Sequence, residues 1–329
     1  LSASGTALLA LVAERVEPVK LGAVAAALWI MMIFGIATSA GVTGALLDPF
    51  TMPRLIAVST GVSVVALVLS IVAATSPVAR AAERAGAAEA ALTPGAEAER
   101  KAAFGAALRA ALREPTTRRF IGFVFLAMLA FSAQDLILEP FAGKVFGMTP
   151  GETTQLGGMH HGGVLVGMLA AAWLSTRVGS LRAWAVAGCG LSALAFVALS
   201  QMPALLSVAA LKANVFTLGV ANGVFTVGGV GSMMAITSSA DRAETGLRLG
   251  IFGSAQGLAY GIGGFAGGAL SDVARMLLGS PAAGYAAVFV LEAVLFAGAA
   301  VLAARSAPAT SPRAVRVRER GDAMLAVMR

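Results

Sequence analysis

Residues 119–139 read RFIGFVFLAMLAFSAQDLILE, and from Phe120 to Gln134 the run carries no charge. About 20 mostly apolar residues in helical conformation cross the hydrocarbon core of a bilayer, so this stretch is a spanning helix. Working outward, runs of the same kind occupy 21–47, 53–75, 156–175, 182–201, 204–236, 248–272 and 283–304. A stub at 1–13 reads as the end of another. The whole chain of 329 residues is 58% hydrophobic and 12% charged, with a mean hydropathy of +0.84. That charged share is about half of what a globular domain carries, and a soluble core has no use for so much apolar surface. The fold class is therefore all-α, a polytopic transmembrane helical bundle. Several runs exceed the minimum length, which permits tilt without fixing an angle. The single cysteine, Cys189, leaves no disulfide framework and no cysteine metal cluster. The chain opens at Leu1 in the middle of an apolar stretch, with Leu8 to Ala13 close behind, which predicts that further spans precede it.

Between the second and third full spans lies the polar, alanine-rich segment Pro77 to Arg119. Within it Phe104, Leu108 and Leu112 recur every four residues opposite Arg109 and Arg113, the pattern of a short helix lying on a membrane surface. Alternate loops share 20 Lys and Arg residues, whereas the opposite loops hold only Arg54, Lys144 and Arg275. By the positive-inside rule the central segment and the C-terminus are cytoplasmic. The net charge of +7 is thus membrane topology, with some attraction to anionic lipid, and not a nucleic-acid surface. Four units follow: 1–76, the end of an N-terminal helical half; 77–118, a cytoplasmic linker; 119–304, a six-helix half; and 305–329, a basic tail. Six spans after a long cytoplasmic loop, with more before it, is the layout of the major facilitator superfamily. Gly35, Ser39, Gly41 and Gly44, then Gly219, Gly223 and Gly228, then Gly257, Gly261, Gly264 and Gly268 are small residues that allow helix backbones to approach.

Polar residues inside such a chain require a reason. Asp135 and Glu139 lie four apart at the end of a span, and Pro140 is expected to terminate that helix at Glu139. Two carboxylates at a helix C-terminus oppose the macrodipole and repel one another, so Lys144 or loop N–H groups are expected as compensation. That corner, with Gln134, is either a structural knot or a docking point for a partner or ligand. His160 and His161 are the only histidines. Adjacent helical residues point about 100° apart and cannot easily share one metal, and their spacing is not that of a zinc site. His160 shares a face with Gly163 and Gly167, and His161 with Gly157 and Gly158. A histidine on a glycine-floored face is either a helix–helix hydrogen bond or a single axial ligand to a flat tetrapyrrole. Lys212 and Glu292 are intramembrane charges: the lysine snorkels to the surface or serves a pathway, and the glutamate pairs with a neighbouring helix or carries a proton. No nucleophile–base pair, phosphate-binding loop or metal motif is present, so no catalytic residue is assigned and the chain is not read as an enzyme.

Residues 131–169, FSAQDLILEPFAGKVFGMTPGETTQLGGMHHGGVLVGML, strongly resemble the PucC family of photosynthetic membrane proteins. The core of the likeness is AQD-x-x-LEPF-x-G-x-VFGM followed by TT-x-L and a glycine-rich span, and weaker similarity covers most of the chain. The resemblance implies a major-facilitator fold of twelve spans, of which this chain lacks the first three and most of the fourth. It also implies a bacterial inner membrane, cytoplasmic or intracytoplasmic. The implied function is assembly of light-harvesting complexes, by binding or delivering bacteriochlorophyll and chaperoning antenna polypeptides, with the reaction-centre core and pigment-biosynthesis or insertion machinery as further partners. The loop STRVGSLR (175–182) is similar to the superfamily's D-R-x-G-R/K turn but lacks its acidic residue. A small-molecule transporter using Lys212 and Glu292 is the alternative, and an enzyme of pigment or lipid metabolism comes third.

Overall fold

The computed structural model describes residues 18–76, 105–106, 108–110, 113–237 and 242–306. Among these, eight long helices follow one another: α1 (Pro18–Leu46), α2 (Met52–Ala74), α3 (Pro115–Phe146), α4 (Pro150–Ser175), α5 (Leu181–Leu205), α6 (Val208–Thr237), α7 (Arg242–Leu278) and α8 (Pro281–Arg305). Their starts are written locally. Thr51, Thr149, Ser180 and Ser280 each accept a hydrogen bond from a backbone N–H of the first turn, which satisfies a donor that the helix itself cannot pair. Thr149 and Glu152 form a reciprocal capping box ahead of α4. Six helices, α1, α2, α3, α5, α6 and α8, are long and apolar enough to cross a membrane. The protein is therefore an all-α, multi-pass membrane protein. Helices α4 and α7 have the length without the same apolar content, because they carry the histidines and many of the glycines.

Helix α3 contradicts the boundary expected at Pro140. It continues through the proline to Phe146. Proline costs a helix one backbone bond and a clash with the preceding turn, but Phe141 and Ala142 just beyond it are fully buried, both 0% exposed, and their packing carries the helix on. The actual end is Gly147, at φ 68°, a conformation that glycine adopts without a Cβ penalty. Its N–H reaches Gly143 O at 3.1 Å, the 5→1 bond of a left-handed αL closure, and that of Met148 reaches Ala142 O at 3.4 Å. Asp135 and Glu139 thus stand inside the helix and not at its dipole end. Likewise α5 runs through Pro203 to Leu205, and Leu206 turns the chain into α6, so the span expected from 204 begins at Val208.

Helices α3, α5 and α8 share a core of stacked and edge-on phenyl rings, with Phe141 4.9 Å from Phe289 and Phe196 5.6 Å from Phe296. Helix α7 packs on α3 and α8, while α6 lies against both α5 and α4, and α1 lies outside α4. A Cβ on Gly219 or Gly223 would strike the carbonyl oxygens of His160 and Val164, and one on Gly163 or Gly167 those of Phe216 and Val220. Four glycines therefore interlock α4 with α6 at backbone contact. On α7 the tight positions are Gly263, Gly264 and Gly267, against Leu129, Leu136 and Ala133. A Cβ on Gly257, Gly261 or Gly268 would meet nothing within 4 Å, so most of the glycine stripe expected to pack on α7 instead leaves space. Helix α2 has no buried residue. At one end of the bundle Arg119 donates to Arg305 O at 3.1 Å and Arg182 to Ser306 O at 3.0 Å, which places three of the basic loop segments together. Phe104 and Leu112 of the expected surface helix, the stub 1–13 and the tail beyond Ser306 lie outside the described residues.

Candidate functional site

Four helices bring polar side chains to one buried point. Gln134 of α3, Ser192 of α5 and Asn222 of α6 are 0% exposed and His160 of α4 is 1% exposed. The Gln134 side-chain amide nitrogen lies 2.8 Å from His160 Nε2, and that of Asn222 lies 3.2 Å from the same atom. Asn222 also donates to Gln134 Oε1 at 3.1 Å, and Ser192 Oγ donates to Asn222 Oδ1 at 2.8 Å. Both amide nitrogens are donors, so His160 Nε2 accepts and the ring is neutral with its proton on Nδ1. A buried network of this kind pairs the Gln134 and Asn222 amides and ties the four helices in one register. Gly163 and Gly167, expected to floor an open face beside His160, are instead filled by the backbone of α6.

His161 points elsewhere. It is half-buried, and its Nδ1 lies 3.0 Å from Gly157 O. A carbonyl oxygen only accepts, so Nδ1 carries a proton and Nε2, on the other side of the ring, is left to other partners. That nitrogen has no hydrogen-bond partner among the described residues. Asp135 stands beside it. One carboxylate oxygen and one ring nitrogen of each histidine lie within 4.8 Å of one another. Asp135 Oδ2 accepts a bond from the Tyr260 hydroxyl at 3.1 Å, and the Phe131 ring sits 6.1 Å from Tyr260 and 6.2 Å from His160. Tyr260, not Lys144, is thus the partner of Asp135; Lys144 is exposed in the last turn of α3. Glu139 is exposed one turn further along, its Oε1 3.2 Å from where a Cβ on Gly157 would stand.

This donor set decides between metals. A free divalent ion in a structural site takes four or more protein ligands, and His160 has no spare lone pair to give. Asp135 and His161 alone leave such a shell incomplete. A metal that arrives already bound within a pigment would need one further nitrogen, which His161 would offer, oriented by the carbonyl behind it. The residues fit that group and do not fit a bare ion.

The two intramembrane charges are not brought to this point as a pair. Lys212 is exposed on the second turn of α6, as a snorkelling lysine would be. Glu292 is 1% exposed in α8, and neither carboxyl oxygen has a hydrogen-bond partner among the described residues. Sequence reasoning did not connect Ser192, Asn222 or Tyr260 to the histidines. Each was visible as a polar residue in an apolar run, but nothing local joins Asp135 to Tyr260, 125 residues away.

Fold and site together define a multi-pass helical membrane protein with a locked polar centre and one uncommitted imidazole beside an acid–tyrosine pair. Residues 1–308 match the family described as PUCC protein, and the chain belongs to that family. It is 40% identical over 306 residues to the "Bacteriochlorophyll synthase 44.5 kDa chain" of Rhodobacter capsulatus, covering 92% of this chain and 68% of that one. It is 32% identical over 309 residues to the "Uncharacterized protein in puhA-bchM intergenic region" of the same organism, covering 90% of this chain and 62% of that one. Against "Protein PucC" of Rhodobacter capsulatus the identity is 31% over 292 residues, covering 87% of this chain and 60% of that one. The chain thus spans about two thirds or less of the length of these relatives.

Proposed function

We propose that this protein is a non-enzymatic assembly factor for bacterial photosynthetic light-harvesting complexes, which holds bacteriochlorophyll in the membrane and passes it to antenna polypeptides. The family membership and a relative named for bacteriochlorophyll support the direction. The observation that carries the pigment reading is the free Nε2 of His161, half-buried and fixed by Gly157 O, beside a donor set too small for a bare ion. When bound, the pigment would supply a metal ion able to take one further nitrogen, and His161 would hold it. The chain's own part is to orient the imidazole through Gly157 O and to anchor α4 through His160. The alternating basic loops support a cytoplasmic face for the end where Arg119 and Arg182 meet α8, in a bacterial inner membrane. The outer apolar faces of α1 and α2 would meet lipid or single-span antenna subunits.

Absorbance of the protein purified in mild detergent from phototrophically grown cells tests the reading. Tetrapyrrole bands that fall severalfold in His161→Phe are the expected result. A protein free of such bands, with light-harvesting complexes unaffected by deletion of its gene, would sink it. The buried and unpartnered Glu292 favours a second reading, solute transport. Substrate uptake into proteoliposomes that disappears in Glu292→Gln would establish that instead.

A further inference from the structure

At the end of the bundle where α3 and α5 begin and α8 stops, arginines converge and no described carboxylate pairs with them. Arg119 Nη1 donates to Arg305 O at 3.1 Å, and Arg182 Nη1 donates to Ser306 O at 3.0 Å. The two carbonyls belong to consecutive residues, so the guanidinium groups stand on the order of 10 Å apart or less. Arg305 itself is exposed in the last turn of α8, and Arg118 is exposed beside Arg119. Glu114, at the start of α3, accepts from Thr117 Oγ1 at 2.7 Å. Among the described residues none of these arginines forms an ion pair.

Little in the fold offsets this charge. The C-terminus of α8 carries the equivalent of about half a negative charge, and one N–H from each of Arg119 and Arg182 is spent on it. A guanidinium offers five N–H donors in a planar fork, so most of both forks is left over, fixed from two sides of α8. Two forks held this way match the separate oxygens of a phosphate, which takes charge-assisted bonds from each. The tryptophans set the depth. Trp173, in the last turn of α4, is 58% exposed with the Arg177 guanidinium 4.1 Å from its ring centroid. Trp184, two residues from Arg182, donates its indole N–H to Val178 O at 2.9 Å. Tryptophan on a spanning helix settles at headgroup level, which puts the arginines at the depth of lipid phosphates. Toward the bilayer centre α8 presents exposed Val301 and Val294.

We propose that Arg119, Arg182 and Arg305 form a binding site for the phosphate of an anionic phospholipid in the adjoining leaflet. The lipid supplies the counter-charge that the described residues lack, and its acyl chains lie along Val301 and Val294. It also bridges α3 to α5, two helices that meet chiefly through α8. A zwitterionic headgroup brings its own cation up to the arginines and is disfavoured, and inorganic phosphate has no chains to hold it at this depth. The site stands apart from the histidines and needs no pigment at His161.

The test titrates the full chain in mild detergent with phosphatidylglycerol, with phosphatidylcholine and, separately, with inorganic phosphate. Native mass spectrometry counts the retained lipid, and the thermal midpoint follows stabilisation. Phosphatidylglycerol is expected to bind about tenfold or more tightly than phosphatidylcholine, with inorganic phosphate leaving the midpoint unchanged. Arg119→Gln combined with Arg182→Gln should abolish that preference, but it also strips two carbonyls of α8. Arg305→Gln keeps the fold out of question, because the Arg305 side chain makes no hydrogen bond among the described residues; it should weaken phosphatidylglycerol about fivefold. Arg177→Gln removes a charge from the same end outside the cluster and should leave binding within about twofold. Equal weakening in Arg177→Gln and Arg305→Gln would mean diffuse attraction to charge. Equal binding of the two lipids, or stabilisation by inorganic phosphate alone, would mean that no anionic lipid is selected. Any of these three results overturns the proposal and leaves the pigment reading untouched.

Discussion

His160 and His161 share a peptide bond and divide the work of a site between them. One is fully enclosed, accepting from two amide groups, and the other is half-buried, bonded through Nδ1 to Gly157 O beside Asp135. Their substitution phenotypes should separate accordingly. His160→Phe strands the Gln134 and Asn222 amides in an apolar interior, at about 1–3 kcal/mol for each unsatisfied group. A lower thermal midpoint and a poorer yield of monodisperse protein are expected. His161→Phe removes a local bond to Gly157 O and a neighbour of Asp135 at a half-buried position, so its thermal midpoint should fall less than that of His160→Phe while bound pigment falls severalfold. Identical midpoints for the two variants would mean that the buried network carries no stability. Unchanged pigment in His161→Phe would remove the axial-ligand role.

At the level of helices, glycine has two opposite uses here, and substitution distinguishes them. Gly167 lies at backbone contact with α6, where a Cβ would collide with the Val220 carbonyl oxygen; Gly261 on α7 faces open space. Gly167→Leu should prevent α4 and α6 from closing, at several times the ~1–3 kcal/mol typical of overpacking, and abolish recovery of folded protein. Gly261→Ala should leave folding unchanged, because the added Cβ meets nothing within 4 Å. Fluorescence-detected size exclusion reads both outcomes. Recovery of folded Gly167→Leu at native yield would show that α4 and α6 do not meet at backbone contact there.

The molecule as a whole offers a direct check of orientation, because Cys189 is fully buried at 0% exposure and should be silent to thiol reagents. Lys144 and Arg177 are exposed at opposite ends of adjacent helices. Lys144→Cys should react with a membrane-impermeant maleimide in intact cells, whereas Arg177→Cys should react only after the membrane is opened. The reverse pattern would contradict a cytoplasmic basic face. Most of this architecture was legible from the chain itself. A bilayer demands some 20 apolar residues per crossing, and that demand is met by runs which can be read without reference to the rest of the molecule, as from Phe120 to Gln134. The small residues of α6 were legible for the same reason, since they lie on a face with helical period. Only tertiary structure decided the rest. Pro140 does not end its helix, because Phe141 and Ala142 are packed against distant residues. Gly163 and Gly167 floor no groove, because α6 fills it. Which histidine keeps its lone pair depends on Gln134, Ser192 and Asn222, carried by three other helices, and the partner of Asp135 arrives from α7. A side chain's chemistry is set by whatever lies within hydrogen-bond reach, and in a helical bundle that neighbour comes from another helix as readily as from the adjoining turn.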